Sequence, residues 1–248
     1  MTSVIQEILA SYHPLLLEQT KAVKLMNRID TKYLTSADVA IQLLRDLQES
    51  YFVLEIESQR IGAYNTLYFD TTDKQMFYSH VTDRLPRYKV RERSYSQNSS
   101  KFLEVKHKNN KERTSKKRML IEEDQTQTNP WVAKHITFQP NELAPSLYVS
   151  FERITLIDHR KTERVTIDFN LRFRAPSGNT TPLYDRIAII ELKQSKRADS
   201  LVKKYLRSKK IRPTNVSKYC TGILLTQSET NYKRYKSKIA QFIKTQSS

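Results

Sequence analysis

From residue 87 to residue 93 every second side chain is a cation: Arg87, Lys89, Arg91 and Arg93. An extended strand turns successive side chains to opposite faces, so all four share one face. Like charges that close repel. A fold can keep such a row only if carboxylates stand opposite it or an anion lies against it. The same parity recurs elsewhere. Glu104, Lys106 and Lys108 alternate with Leu103 and Val105, and Arg164, Thr166 and Asp168 alternate with Val165, Ile167 and Phe169. Arg28, Asp30 and Lys32 share a parity, as do Glu191 and Lys193 after the apolar run 187–190.

These segments order themselves as strands without regular crossover helices. Runs at 89–95, 101–108 and 115–121 follow one another through short polar connectors, which predicts antiparallel hairpins. Further strands are expected at 27–34, 51–57, 63–69, 147–158, 164–173 and 186–194. Helices are expected over 5–25 with a break at Pro14, from the Ser36 cap to about 48, at 73–80, 130–136, 198–208 and 216–225, and in the basic stretch 229–245. This pattern predicts an α+β fold with an antiparallel sheet or barrel. Alternation alone also suits the wet face of an ordinary half-buried sheet. The repeated bias to Arg and Lys favours instead a charged face turned inward, a tunnel whose guanidinium and ammonium groups grip successive phosphates.

The charge balance agrees: 43 Lys and Arg against 26 Asp and Glu give +17. A polyanionic partner follows, though not which one. The generic reading, nucleic acid, lacks a helix-turn-helix, zinc-finger or RNP-type motif to accompany the charge. The three glycines, Gly62, Gly178 and Gly222, form neither a P-loop nor a dinucleotide fingerprint, so phosphate would be held by side chains. Cys220 is the sole cysteine, which removes intrachain disulfides and Cys-based zinc sites and suits a cytoplasmic setting. No apolar run approaches the roughly 20 residues of a membrane span. His13, His80, His107, His135 and His159 show no metal spacing, and the run from Lys233 to Lys238 reads as a solvated helix face.

The ordered set Arg28-Ile-Asp-Thr-Lys32-Tyr33, Lys89-Val-Arg91-Glu-Arg93-Ser-Tyr95, Phe102-Leu-Glu104-Val-Lys106, Lys116-Lys-Arg118, Phe151-Glu-Arg153, Arg164-Val-Thr-Ile-Asp168, Ile190-Glu191-Leu-Lys193 and Ser217-Lys218-Tyr219 resembles the VTC domain. That is the polyphosphate polymerase domain of vacuolar transporter chaperone proteins, in the triphosphate tunnel metalloenzyme superfamily. The resemblance implies a tunnel domain at 27–227, flanked by an N-terminal helical segment at 1–26 and a basic C-terminal helix at 228–248. It implies an α+β fold, an eight-stranded antiparallel β-barrel forming a tunnel with helices packed outside, and transfer of the terminal phosphate of ATP to inorganic polyphosphate with Mn²⁺ or Mg²⁺. Carried over by motif, Lys32, Arg91, Arg93, Lys106, Lys116, Arg118, Arg153, Arg164, Ser217 and Lys218 would bind phosphates. Of these, Lys32, Arg91, Arg93, Lys106, Arg153, Arg164 and Lys218 would serve catalysis, and Glu191 would hold the metal.

Arg87 and Lys89 would then sit toward the rim. The resemblance also implies a membrane-protein partner that could draw the domain to the cytoplasmic face of a membrane. Two alternatives remain open at this level: a catalytically silent polyphosphate-binding module and a triphosphatase. Hydrolytic tunnel enzymes carry E-x-E-x-K where this chain has Arg28-Ile-Asp30-Thr-Lys32. The metal site is therefore expected to be poor in carboxylates.

Overall fold

The computed structural model describes residues 1–22, 29–97, 100–111, 113–121, 130–137, 142–195, 198–227, 229–230 and 233–247. Arg28 and the loop expected at 122–129 lie outside these. One sheet runs β2 (Ile29–Ser36), β10 (Ile187–Gln194), β9 (Glu163–Arg174), β8 (Leu143–Asp158), β4 (Gly62–Thr71), β5 (Arg87–Tyr95), β6 (Lys101–Lys108) and β7 (Thr114–Leu120). All neighbours along this path are antiparallel. The expected eight antiparallel staves are present. Among the described residues, however, β2 and β7 stand at the two ends of the path and do not pair, so the sheet is an open trough and not a closed barrel.

The N-terminus shows the expected break at Pro14, but a short strand and a 3₁₀ helix (Leu17–Ala22) stand where the second helix is expected. Only α1 (Thr2–Ala10) is α-helical before Pro14. Pro14 then opens a short strand, β1 (Pro14–Leu16), parallel to β3 (Tyr51–Glu55). β3 also pairs with β8, so β1 is an outermost strand, where proline costs no ladder bond within the sheet. Ser36 ends β2 and caps α2 (Ala37–Asp46) by accepting from the Val39 N–H.

The two faces of the sheet have different tasks. Tyr33, Ile154, Leu156, Val165, Ile167, Ile190 and Leu192 form one core with α1, α2 and α5 (Leu201–Ser208). Val90, Leu103 and Val105 form another with Met76 of α3 (Gln75–Val81) and Val132 of α4 (Pro130–Ala133). The opposite face changes character along its length because of one bulge. At Asn170, whose φ of 53° is tolerable for an asparagine, β9 gains a residue relative to β8. Side-chain parity flips there, so Leu171 and Phe173 come onto the face that carries Asp168. They join Leu147, Val149 and Phe151 in an apolar floor at one end of the trough.

Helix α6 (Lys218–Thr226) lies on this floor through Tyr219, Cys220 and Ile223. Gly222 permits the approach: a Cβ there would come within 2.5 Å of Leu147 Cδ2 and 2.6 Å of Phe173 Cδ1. Gly222→Ala is therefore expected to destabilise the protein by about 1–3 kcal/mol, read in a thermal melt.

The C-terminal helix α7 (Lys236–Ser247) is not only the solvated face its lysines suggest. Phe242 is fully buried against Phe173 and Tyr184, and the hydroxyl of buried Tyr235 accepts from the Ser217 N–H at 3.1 Å. No helix among the described residues is long and apolar enough to cross a membrane.

Candidate functional site

Strand register assembles the site. Across β7, β6, β5 and β4, Arg118 stands opposite Glu104, Glu104 opposite Arg91, and Arg91 opposite Tyr68; Lys116 is opposite Lys106, and Lys106 opposite Lys89. Thr66 pairs with Arg93 and Tyr64 with Phe151. Arg153 faces Asp168, Glu191 faces Lys32, and Arg164 faces Lys193. Seven of the eight strands thus turn cations into the trough, and β4 contributes Tyr64, Thr66 and Tyr68 between them.

What stabilises so many cations is a repeated three-body arrangement. The Glu104 carboxylate, on a residue only 1% exposed, accepts from Arg91 Nε at 2.7 Å and also pairs with Lys116. Asp168, equally buried, accepts from Arg153 Nε at 2.5 Å and Nη2 at 2.8 Å and takes Lys218 as well. Glu191 pairs with Lys193 at 2.6 Å and lies 3.9 Å from Lys32. In each, one carboxylate bridges two cations, so each keeps one net positive charge after its internal pairing.

Burial would push the Glu104 and Asp168 carboxyls up, yet Arg91 and Lys116, and Arg153 and Lys218, outweigh it and hold both at about 2. Glu191 is likewise held well below the usual range, by Lys193 and Lys32. The amines show the converse. Burial first, then neighbouring guanidinium groups, bring Lys116 and Lys218 down to about 8 despite their carboxylates.

Other cations have neutral partners. Arg93, 6% exposed, donates to the Thr66 hydroxyl at 3.1 Å and lies 5.5 Å from the Tyr64 ring and 5.7 Å from the Phe151 ring. Lys89 donates to Ser217 Oγ at 3.1 Å, and burial brings its amine down to about 8. Ser217 itself caps α6, accepting from the Cys220 N–H, so the helix presents its positive end to the same cluster. Arg153 and Lys218 also lie over the Phe151 ring, at 5.2 and 4.4 Å.

The structure therefore gathers Lys32, Arg91, Arg93, Lys106, Lys116, Arg153, Ser217, Lys218 and Glu191 on the trough. Arg164 shares the face by register, and Arg118 shares it with its guanidinium 4.9 Å from the Phe102 ring. Arg87, at the start of β5, is tied to Asp83 at 3.0 Å. Lys89 is not at the rim: its amine is within the cluster, in electrostatic reach of Lys32 and Lys106. Strand parity placed Lys89 on the correct face, but only the docking of α6 brings Ser217 to it. Lys193, Tyr64 and Thr66 also belong to the site; their parity was the available signal.

Three of the five histidines serve packing. His80 meets the Tyr88 carbonyl at 3.1 Å, His107 stacks on Tyr88, and His135 meets the Trp131 carbonyl at 2.7 Å. Cys220 is buried and unbridged.

An antiparallel trough lined by carboxylate-bridged cations, with α1, α2 and α5 on its outer face and α6 and α7 over its apolar floor, is an α+β architecture of the triphosphate tunnel fold. The chain belongs to the VTC domain family, whose model matches residues 27–227. Among solved structures, a candidate adenylate cyclase from Bacillus halodurans is similar in fold (TM-score 0.52, 13% identity, 77% of this chain and 96% of that one). So is a candidate adenylyl cyclase from Hippeastrum described as having a dominant triphosphatase activity (TM-score 0.50, 15% identity, 84% and 98%). At these identities the likeness shows the shared fold alone. No curated protein matches the chain in sequence.

Proposed function

We propose that this chain is a polyphosphate polymerase, adding the terminal phosphate of ATP to a growing inorganic polyphosphate chain. The observation that carries this reading is the cationic face to which seven of the eight strands contribute, in which carboxylates neutralise only part of the charge. Phosphoryl transfer asks mainly for positioning and for neutralisation of the phosphate oxygens. Arg93 supplies its two terminal guanidinium nitrogens to a phosphate, Arg91 and Arg153 supply the N–H groups that Glu104 and Asp168 leave, and Lys89, Lys106 and Lys218 supply point charges between them. The attacking oxygen of a polyphosphate end is already anionic, so no side chain need act as its base.

The residues fit a divalent cation of the kind the family implies, within a limit. Among the described residues no three of His, Cys, Asp and Glu converge. Glu191 is kept ionised, and both it and Asp30 are in electrostatic reach of Lys106. Mg²⁺-type ions are commonly held by one or two carboxylates together with substrate phosphates and water. Glu191 would hold such an ion, which when bound supplies neutralisation at the phosphate oxygens.

The test is to supply the purified protein with ATP and Mn²⁺ and follow product. Acid-stable polymer with equivalent ADP is expected. Orthophosphate released from tripolyphosphate in place of polymer would support the triphosphatase reading. Binding of polyphosphate without turnover would support the silent module. Arg93→Ala is expected to weaken tripolyphosphate binding by about 1.5–3 kcal/mol, the scale of a hydrogen bond to a charged group, as measured by calorimetry. Unchanged affinity would place the phosphates elsewhere.

A further inference from the structure

Tyr68 stands on β4 in the middle of the cationic face, opposite Arg91 on one side and Leu147 on the other. It is 5% exposed, Arg91 Nη1 donates to its hydroxyl oxygen at 3.4 Å, and its ring stacks on Tyr219 at 4.9 Å. A phenol so placed has no solvent to satisfy it and three cations of one strand around it. We propose that the Tyr68 hydroxyl is an exchangeable counter-charge of the trough: it gives up its proton to balance Lys89, Arg91 and Arg93, and takes one back from solvent when a phosphate chain claims those cations. The second half of this inference rests on the polyphosphate reading above; the first does not.

The groups facing Tyr68 bear this out element by element. On β5, Lys89, Arg91 and Arg93 all favour the phenolate. On β6, Glu104 opposes it, but Arg91 and Lys116 already neutralise that carboxylate. On α6, burial pushes the Tyr219 hydroxyl and the Cys220 thiol up, so both stay neutral. On β4 itself, Asp70 is pushed up by burial and bonds Tyr219 and the N–H groups of Met76 and Phe77. On α3, His80 is pushed down by burial and by Lys89 and Arg87, and adds no charge. Burial alone would raise the Tyr68 phenol; Arg91, Arg93 and Lys89 reverse the sign and bring it to about 7. An ordinary phenol titrates near 10.

The sign follows. Without phosphate, Tyr68 ionises as pH rises through neutrality. A bound polyphosphate cancels the field of the three cations, the phenol returns toward its ordinary range, and binding takes up a proton. Affinity should therefore fall as pH rises, with Tyr68 contributing the component near neutrality and the lysine amines a later one.

The experiment is an ultraviolet tyrosinate titration of the whole chain, with and without tripolyphosphate, beside calorimetry in two buffers of different ionisation enthalpy. One tyrosinate should form near neutral pH, vanish in Tyr68→Phe, and bleach when tripolyphosphate binds, with uptake of up to one proton per site. Arg91→Gln, a second variant that keeps the phenol, should move the titration upward by roughly a pH unit or more. A titration absent in the wild type, or retained in Tyr68→Phe, overturns the counter-charge. Tripolyphosphate that binds without bleaching or proton uptake overturns the exchange. If tripolyphosphate does not bind at all, the polymerase reading falls, while the titration without ligand still decides whether Tyr68 is a counter-charge.

Discussion

Asp168→Asn is expected to lower the stability of the protein by about 3–5 kcal/mol at neutral pH, the usual consequence of removing one partner from a buried ion pair. The substitution keeps the shape of the side chain, so no cavity contributes. What is lost is the charge that Arg153 Nε and Nη2, at 2.5 and 2.8 Å, and Lys218 share. Both cations are largely shielded from water, with side-chain exposures of 16% and 13%. They would be left facing each other beside the ring of Phe151.

Two features separate this account from a generic core defect. Tripolyphosphate should restore more stability to the variant than to the wild type, because bound anion substitutes for the missing carboxylate and stabilises by mass action. The pH dependence should also change. A carboxyl held at about 2 in the folded protein and near 3.9 in the unfolded chain gives stability that is present above about pH 4 and lost as pH falls toward 2. The variant should lack that part of the acid transition. Urea titrations with and without ligand measure both, and a loss under about 1 kcal/mol would mean that Asp168 does not sustain the cation pair.

Glu191→Gln is expected to reduce metal-dependent turnover by about a hundredfold or more, the scale for losing an electrostatic group that acts at the reacting phosphates. Polyphosphate binding should be preserved or tightened. The carboxylate is engaged by Lys193 at 2.6 Å and approached by Lys32 at 3.9 Å, and the neutral amide releases both cations toward the anion. The split between rate and affinity is the informative outcome. Turnover unaffected by the substitution would remove Glu191 from the metal; affinity lost along with turnover would show it holding the trough together and not the ion.

Much of this site is legible in strand parity. The alternation of Lys89, Arg91 and Arg93 with Val90, and of Asp168 with Ile167 and Phe169, assigns the charged and apolar faces before any fold is known. Register is another matter. That Glu104 bridges Arg91 and Lys116, or that Asp168 bridges Arg153 and Lys218, depends on which residues stand opposite one another and on where α6 lands. Local sequence does not encode either.

The same limit explains Lys89, which only the Ser217 end of α6 draws inward, and Phe242, whose burial within a lysine-rich helix depends on Phe173 and Tyr184. The bulge at Asn170 is the subtlest case. It exchanges parity within one strand, so Asp168 and Phe173, which unbroken alternation would put on opposite faces, lie on the same one. The helix does break before Pro14 as its sequence predicts, but the strand that Pro14 begins is not legible locally, because its parallel partner is supplied by distant residues 53–55.

The most direct test of the central claim is lysine-specific acylation followed by mass spectrometry, with and without a short polyphosphate. Protection is expected at Lys32, Lys106 and Lys116, the trough lysines open to the reagent in the free protein, with exposed Lys209, Lys210 and Lys244 labelled equally in both samples. Protection of the outer lysines with the trough lysines unchanged would contradict it and place the polyanion on the exterior.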